Sequence, residues 1–585
     1  MASNIIGDLF DDSRRIDRSI EKVISYSNES KLLAEITEYV VTGGLESAFK
    51  DLLEKMSLAM SGPGNDSGGG GHEIGVWVSG FYGSGKSSFT KYLGFALDQN
   101  KTLEGKSFLS HLQDRLCTNA TKALFTKVSK ILNPHVVFLD LASEMHAGGE
   151  MQDVSSVLRN KVLRDCGYSN DIKVAELELM LEKDGKFEEF KEAAKKDLKG
   201  TSWEDVHNMP LISNTVCDRL ARQFYPNIWQ NKGEFANVRI TSTTNERIRV
   251  EEIVALVKRK SGKNNILFIV DEVGQYVAAR PELIINLDGF SRNLKEVGGG
   301  TVWLFATAQQ TLTEDNRSAT LNSPDLYKLK DRFPITVHLE ATDIKEICHK
   351  RLLTKSTAGK ADLSKLFHEN GAALRHATQL LNAQHYDSPL DSAQFLELYP
   401  FLPAHFEILL QLLGKLARRT GGLGLRSAIK VLQDVLIDKS ISKGGTGSLA
   451  DQSLGALATT VTFYDSLDRE IQTSFSQVAD GVKRVIERFG YRDEPFIAVA
   501  KTIAILQILE NLPATAQNIA ALMQPEVQSS SLKEVVSKIL TELVKSDSMV
   551  PLGEKEGQYS FLSRAAIQLQ EVLEKLDVKT AEKRS

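Results

Sequence analysis

The sequence predicts an α/β fold in which a five-stranded parallel sheet is wrapped by helices and followed by a helical lid and a carboxy-terminal winged helix. Three observations carry that prediction. Five short apolar runs, Ile74–Ser79, Val136–Leu141, Ile266–Val270, Val302–Ala306 and Ile335–Leu339, are separated by long stretches of helical periodicity. A glycine-rich segment stands directly between the first run and a helix, and the third run ends in two carboxylates. From Ala341 to Ser440 strand signals stop and leucine-rich helical patterns take over.

At 585 residues the chain exceeds what one hydrophobic core organises, so about two to four domains are expected. Hydrophobic residues at 42% and charged residues at 25% lie in the globular range, which excludes a disordered chain. A net charge of −5 argues against a generally basic DNA-coating protein. Cys117, Cys166, Cys217 and Cys348 stand singly, with neither metal-ligand spacing nor a disulfide framework, and read as buried thiols. The histidines include no HExxH or other paired-ligand spacing, so structural zinc has no support. The amino terminus lacks a basic region followed by an apolar core, and no apolar run reaches spanning length. No membrane is therefore expected, and the expected location is cytoplasmic.

In chain order, the periodicity from Ile16 to Ala59 is helical, and the glycine-rich stretch Ser61–Gly71 is a loop. The charged stretch Ala175–Lys199 reads as an exposed helical insertion, because acidic and basic residues interleave along it. Lys258, Arg259, Lys260 and Lys263 read as a basic cluster in a solvated loop. Near the end, helices at Phe496–Leu509, Thr515–Met523 and Leu532–Lys545 precede two extended runs around Val550 and Tyr559. These runs flank the turn-like Gly553–Gly557, so three helices and a small hairpin point to a winged helix. Lys533, Lys538 and Lys545 are offset by Glu534, Glu542 and Asp547, so protein docking and DNA contact both stay open for it. The expected domains are 1–71, an amino-terminal helical segment and loop, and 72–340, the sheet core with a helical insertion at about 145–235. A helical lid at 341–448, a helical connector at 449–495 and the winged helix with its tail at 496–585 follow.

Gly80-Phe81-Tyr82-Gly83-Ser84-Gly85-Lys86-Ser87 satisfies GxxxxGK(S/T) between a strand and a helix, the context that defines a P-loop NTPase. Glycines let backbone N–H groups wrap phosphates, and the helix amino terminus, with Ser88 in its first turn, favours their charge. Lys86, read as an exposed ammonium, would neutralise the β- and γ-phosphates of ATP, and the Ser87 hydroxyl would ligate Mg²⁺. Hydrolysis needs carboxylates as well. Asp271 fits the metal side, and Glu272 fits the general base that orients water. The polar end of Val302–Gln309 suits a γ-phosphate sensor, with Thr307 the first choice and Gln309 the second. Arg332, before the last core strand, and Arg426, at the start of a lid helix, are the arginines placed to stabilise transition-state charge. For Arg332 the competing reading is an intrachain salt bridge around Asp331.

The chain resembles the P-loop ATPases called BrxC or PglY, components of bacterial BREX phage-exclusion systems. The resemblance runs through Asp8-Leu9-Phe10, Arg18 to Ile24, Tyr39 to Thr42, Val76 to Phe81 with the P-loop, Asn265 to Phe268 with Asp271-Glu272-Val273-Gly274-Gln275, Arg332-Phe333 and Tyr399-Pro400-Phe401-Leu402-Pro403. It implies an AAA+-like ATPase that forms homo-oligomers and works beside other BREX proteins, including a DNA methyltransferase, with possible DNA contact. Family members continue past the winged helix, so a chain ending at Ser585 reads as a short or truncated version. The segment around Arg426 lacks the acidic residue that accompanies the corresponding family arginine. Two other classes stay open: an origin-recognition or transposition-type DNA-binding switch, and a non-hydrolysing nucleotide-dependent scaffold.

Overall fold

A computed structural model describes residues 5–10, 16–17, 31–61, 73–80, 85–144, 152–237, 245–278, 280–308, 328–339, 344–383, 386, 390–420, 425–438, 448–490, 494–545, 550–563, 565–566, 569 and 572. The chain divides into two compact units. One comprises Ser25–Phe81 and Gly85–Ala341; the other comprises Met1–Ile24, Tyr82–Ser84 and Thr342–Ser585.

The first unit is built on a sheet. Its strands are β1 (Gly75–Gly80), β2 (His135–Asp140), β3 (Ile266–Asp271), β4 (Val302–Ala308) and β5 (Ile335–Leu339). All five run parallel, in the order β2-β3-β4-β1-β5. Each predicted apolar run forms one strand. The three central strands are buried along their whole length, which is why they read as unbroken apolar runs, whereas the edge strand β5 alternates buried and exposed positions. Side chains alternate across the sheet. Trp77, Phe268, Val270, Leu304 and Ala306 face one side and pack with the helices Val154–Asp165, Glu246–Ser261, Val273–Ala278 and Pro281–Gly298. Val76, Val78, Leu267, Ile269, Trp303 and Phe305 face the other, against the helices Gly43–Ser61, Lys86–Leu97, Phe108–Gln113 and Asn119–Leu132. Each such large side chain contributes roughly 1.5–3 kcal/mol by leaving water.

Several local readings change in the folded chain. The amino-terminal helical pattern breaks into Leu32–Thr37 and Gly43–Ser61. The β-branched run Val40-Val41-Thr42 is a poor helix interior, and the Thr42 hydroxyl instead accepts the Leu45 N–H at 3.2 Å, starting the second helix. The predicted loop lies almost entirely at 62–72, outside the described residues. Lys258–Lys260 form the last turn of the helix Glu246–Ser261 rather than a loop, where cations suit the helix dipole. Lys260 pairs with Glu182 at 2.9 Å and Lys263 with Asp98 at 2.6 Å.

The charged insertion has a core of its own. Val174, Leu177, Leu181, Phe190 and Ala194 pack with Trp203, Val216 and Cys217. Glu178 is buried among them and satisfied, accepting the Ser169 N–H and the Trp203 indole N–H, both at 2.7 Å. Interleaved charges therefore hide an amphipathic pair, Ile172–Lys183 and Phe187–Asp197, whose apolar stripe is sparse but continuous. By contrast Val154–Asp165, inside the stretch read as insertion, belongs to the sheet's own packing layer. Cys217 and Cys348 are buried as expected, but Cys166 is only half-buried and Cys117 is exposed.

Among the described residues, the second unit is helical apart from one hairpin, and the amino terminus belongs to it. Phe10 bridges to Lys355, and the Leu9 carbonyl accepts the Ser356 N–H at 2.9 Å. At the other end, Glu494–Leu509, Ala516–Leu522 and Lys533–Leu543 are the three predicted helices. They are followed by the antiparallel strands β6 (Leu552–Lys555) and β7 (Gln558–Phe561). The turn is only Glu556-Gly557, both at positive φ, as two-residue hairpins require; Gly553 lies within β6 instead. Gln507 holds the hairpin to its helix, accepting the Phe561 N–H at 2.9 Å and donating to the Phe561 carbonyl at 3.0 Å. Among the described residues, no helix is long and apolar enough to cross a membrane.

Candidate active site

The described residues of the sequence-predicted site within the sheet unit, except Arg332, come to the carboxyl ends of parallel strands, where such sheets bind ligands. The helix after β1 lies on one face of the sheet and the helices after β3 lie on the other, with β4 between those two strands. Gly80 ends β1, and Gly85 turns the chain into the helix Lys86–Leu97 with φ of 90°, a conformation that strains any other residue. Ser87 is half-buried and Ser88 buried in the first turn of this helix, whose amino-terminal dipole suits an anion. Lys86 differs from its expectation. It is only 5% exposed, because its Nζ folds back and donates to the Gly80 carbonyl at 3.0 Å. Phe81, Tyr82, Gly83 and Ser84 lie outside the described residues, as does Gln309.

Asp271, at the end of β3, is buried, and its Oδ1 accepts both the Thr307 hydroxyl and, at 3.2 Å, the Glu272 N–H. That N–H also reaches the Thr307 Oγ1 at 3.0 Å. These bonds hold Glu272 at φ of 61°, a left-handed conformation that costs of order 1–3 kcal/mol for a residue with a side chain. Among the described residues, Glu272 Oε2 is buried without a hydrogen-bond partner. Burial, then the Asp271 charge, push the Glu272 carboxyl above the usual range, while Lys86 opposes them. Burial pulls Lys86 below the ordinary lysine range against the Glu272 and Asp271 charges. A buried amine, a hydroxyl-anchored carboxylate and a second carboxylate with an unsatisfied oxygen thus share one site. Such a set can bind an anion and take a proton from water.

Arg332 stands elsewhere. Val76 is in register with Ile335, so Arg332 lies just before the amino-terminal end of β5, at the opposite end of the sheet. Its Nε donates to Asp288 Oδ1 at 2.7 Å, so an intrachain pair exists, with Asp288 rather than in the surroundings of Asp331. Arg426 belongs to the other unit, in the helix Leu425–Ile437, and only its backbone is described.

Sequence reasoning passed over three residues here. Asp140 ends β2 in register with Asp271, and burial, then the Asp271 charge, raise its carboxyl. Its signal was available, since Val136–Leu139 is an apolar run ending in Asp, as Ile266–Val270 is. Gly274, in the helix after Glu272, packs so closely on β4 that an added Cβ would meet Ala308 Cβ at 2.4 Å. Asp288 left no local signal, because its partner lies in another element of the chain.

A parallel five-stranded sheet covered by helices on both faces fits a P-loop NTPase-like fold. Residues 345–449 match the family described as the second domain of the BREX system ATPase PglY. That match supports a PglY/BrxC-type protein of a BREX system. Within the matched segment, Tyr399, Phe401 and Leu402 are packing residues. The Tyr399 hydroxyl accepts the Gly455 N–H at 2.8 Å, and Phe401 stacks on Phe463 with ring centroids 6.1 Å apart.

Proposed function

We propose that this chain binds ATP with Mg²⁺ and hydrolyses it, as an AAA+-like subunit of a BREX-type phage-defence complex that includes a DNA methyltransferase. The observation that carries the proposal is the meeting of Lys86, Asp271, Glu272 and Thr307 at the carboxyl ends of neighbouring strands, beside a helix amino terminus. The residues fit the ligands. Lys86 is a buried cation beside two carboxylates, and Glu272 Oε2, which has no hydrogen-bond partner among the described residues, is an acceptor for water. In this reading Lys86 and the first-turn N–H groups bind the phosphates, and Ser87 and Asp271 hold Mg²⁺, which supplies charge neutralisation. Thr307 fixes Asp271 and the Glu272 backbone, and the raised carboxyl of Glu272 is suited to accept a proton from water.

Arg332 fits a role in trans. A six-residue strand separates its end of the sheet from the P-loop end, roughly 16 Å at the rise of a parallel strand, too far to touch its own nucleotide. A second copy of the chain would bring it to a neighbouring site, so assembly into a homo-oligomer belongs to the proposal. So do the lid around 341–448, with Arg426, and the carboxy-terminal winged helix as a docking element for protein or DNA.

Glu272→Gln tests the core of this reading. It keeps the side chain's shape but cannot take a proton, so ATP should bind with unchanged affinity and turn over at least roughly a hundredfold more slowly. Equal turnover by variant and wild type would reject the general-base role, and an ATP titration without binding to wild type would reject the site.

A further inference from the structure

From the contacts around Arg332 we infer that Asp288 is its positioning residue, presenting a preorganised guanidinium to the phosphate of an ATP bound on a second copy of the chain. The inference rests on the trans reading above and adds the device that makes it work.

Three contacts fix Arg332 from the backbone outwards. A Cβ at Gly75 would lie 1.9 Å from the Arg332 carbonyl oxygen, so the start of β1 and the Arg332 backbone touch with no room between them. Phe333 is fully buried, edge-on to Trp77 with ring centroids 5.2 Å apart, and its N–H bonds the Leu329 carbonyl at 3.1 Å. At the tip, Asp288 of the helix Pro281–Gly298 takes the Nε–H at 2.7 Å.

The choice of donor decides the function. A structural arginine–carboxylate pair gains most when two guanidinium N–H groups engage both carboxylate oxygens as a fork. Here a single hydrogen bond is donated, by Nε to one Asp288 oxygen, and neither terminal nitrogen has a hydrogen-bond partner among the described residues. Among the described residues, the fork that matches a phosphate is left open. Arg332 and Asp288 side chains are 33% and 31% exposed, so the pair faces solvent where a second copy could reach it. An ion pair so exposed adds only about 0–1 kcal/mol to stability. What it does supply is orientation, since one bond at Nε removes most of the rotational freedom of a long, flexible side chain before the phosphate arrives.

The test uses the full chain, with turnover measured where assembly is complete and ATP varied to separate kcat from KM. Asp288→Asn should lower kcat roughly ten- to a hundredfold, with KM for ATP, melting temperature and oligomer size unchanged, and Asp288→Glu should restore much of the loss. Added to Arg332→Ala, Asp288→Asn should have no further effect, because the residue it positions is gone. An Asp288→Asn enzyme with wild-type or higher kcat, or a double variant whose losses multiply, overturns the inference. The two readings separate cleanly. If Arg332→Ala itself turns over like wild type, the trans reading falls and this inference with it. If Arg332→Ala is slow and Asp288→Asn is not, only the positioning role falls.

Discussion

Gly274→Ala is expected to damage both the stability of the sheet unit and its chemistry, through one steric contact. The added methyl carbon would stand 2.4 Å from Ala308 Cβ, 3.2 Å from Ala308 Cα and 3.6 Å from Trp77 Cζ2. Carbon atoms sit comfortably at about 3.5–4.0 Å, so the helix Val273–Ala278 must lift by roughly 1–1.5 Å or the end of β4 must bend. Overpacking of this kind costs about 1–3 kcal/mol, a fall of a few degrees in melting temperature per kcal/mol. The displaced groups are the site itself. Thr307 precedes Ala308 and carries the hydroxyl bonded to Asp271 and Glu272, and Glu272 leads into the helix. A shift near 1 Å in such a set costs on the order of a hundredfold in rate. Removing the other methyl should reverse the effect. Ala308→Gly alone costs roughly 1 kcal/mol, but in the double variant the 2.4 Å contact is gone and most turnover should return. Thermal melting and steady-state ATP turnover of the two single variants and the double decide it. A Gly274→Ala protein that melts like wild type refutes the steric argument, and one that melts lower yet turns over normally refutes the placement of Thr307 and Glu272 in the chemistry.

Lys86→Ala should abolish ATP binding and leave the fold intact, the lost bond to the Gly80 carbonyl costing about 1 kcal/mol; unchanged affinity in a nucleotide titration of folded variant rules out the assignment. Mixed Lys86→Ala and Arg332→Ala subunits should regain turnover that neither has alone, since each retains what the other lacks, and a co-assembled mixture that stays inactive counts against a trans arginine. His405 is buried, its Nδ1 accepts the Leu402 N–H at 3.2 Å, and burial pushes it down to about 4 from an ordinary 6.5. Because the folded state binds fewer protons than the unfolded state between those values, stability is complete above about 6.5 and is lost as pH falls toward 4, by at most about 3 kcal/mol. His349, also pushed to about 4, adds with the same sign, so His405→Asn should roughly halve the acid loss of hydrogen-exchange protection in the helix Pro403–Thr420. An unaltered pH slope contradicts this.

The sequence by itself determined the strands, because a strand covered on both faces must be apolar at every position, and this reads locally at β1, β3 and β4. It determined the glycine-lysine-serine turn and the carboxylate pair in the same way, since each needs particular residue types within a few positions of one another. It placed the carboxy-terminal helices to within two residues at either end, but not the hairpin turn, where Gly553 was the decoy and Glu556-Gly557 the turn. The sensor strand is expected between the two motif strands, and β4 with Thr307 does lie between β3 and β1; only the tertiary structure decided the rest of the order β2-β3-β4-β1-β5 and put Arg332 at the far end of the sheet. It also decided that Lys86 is buried, that the charged insertion has a core, that Asp140 stands beside Asp271 and that Asp288 grips Arg332. The reason is range. Periodicities of 2 and 3.6 and the turn chemistries are properties of neighbouring residues, whereas strand order, burial of a single charge and the pairing of Asp288 with Arg332 arise from packing between segments distant in the chain, which no local pattern encodes.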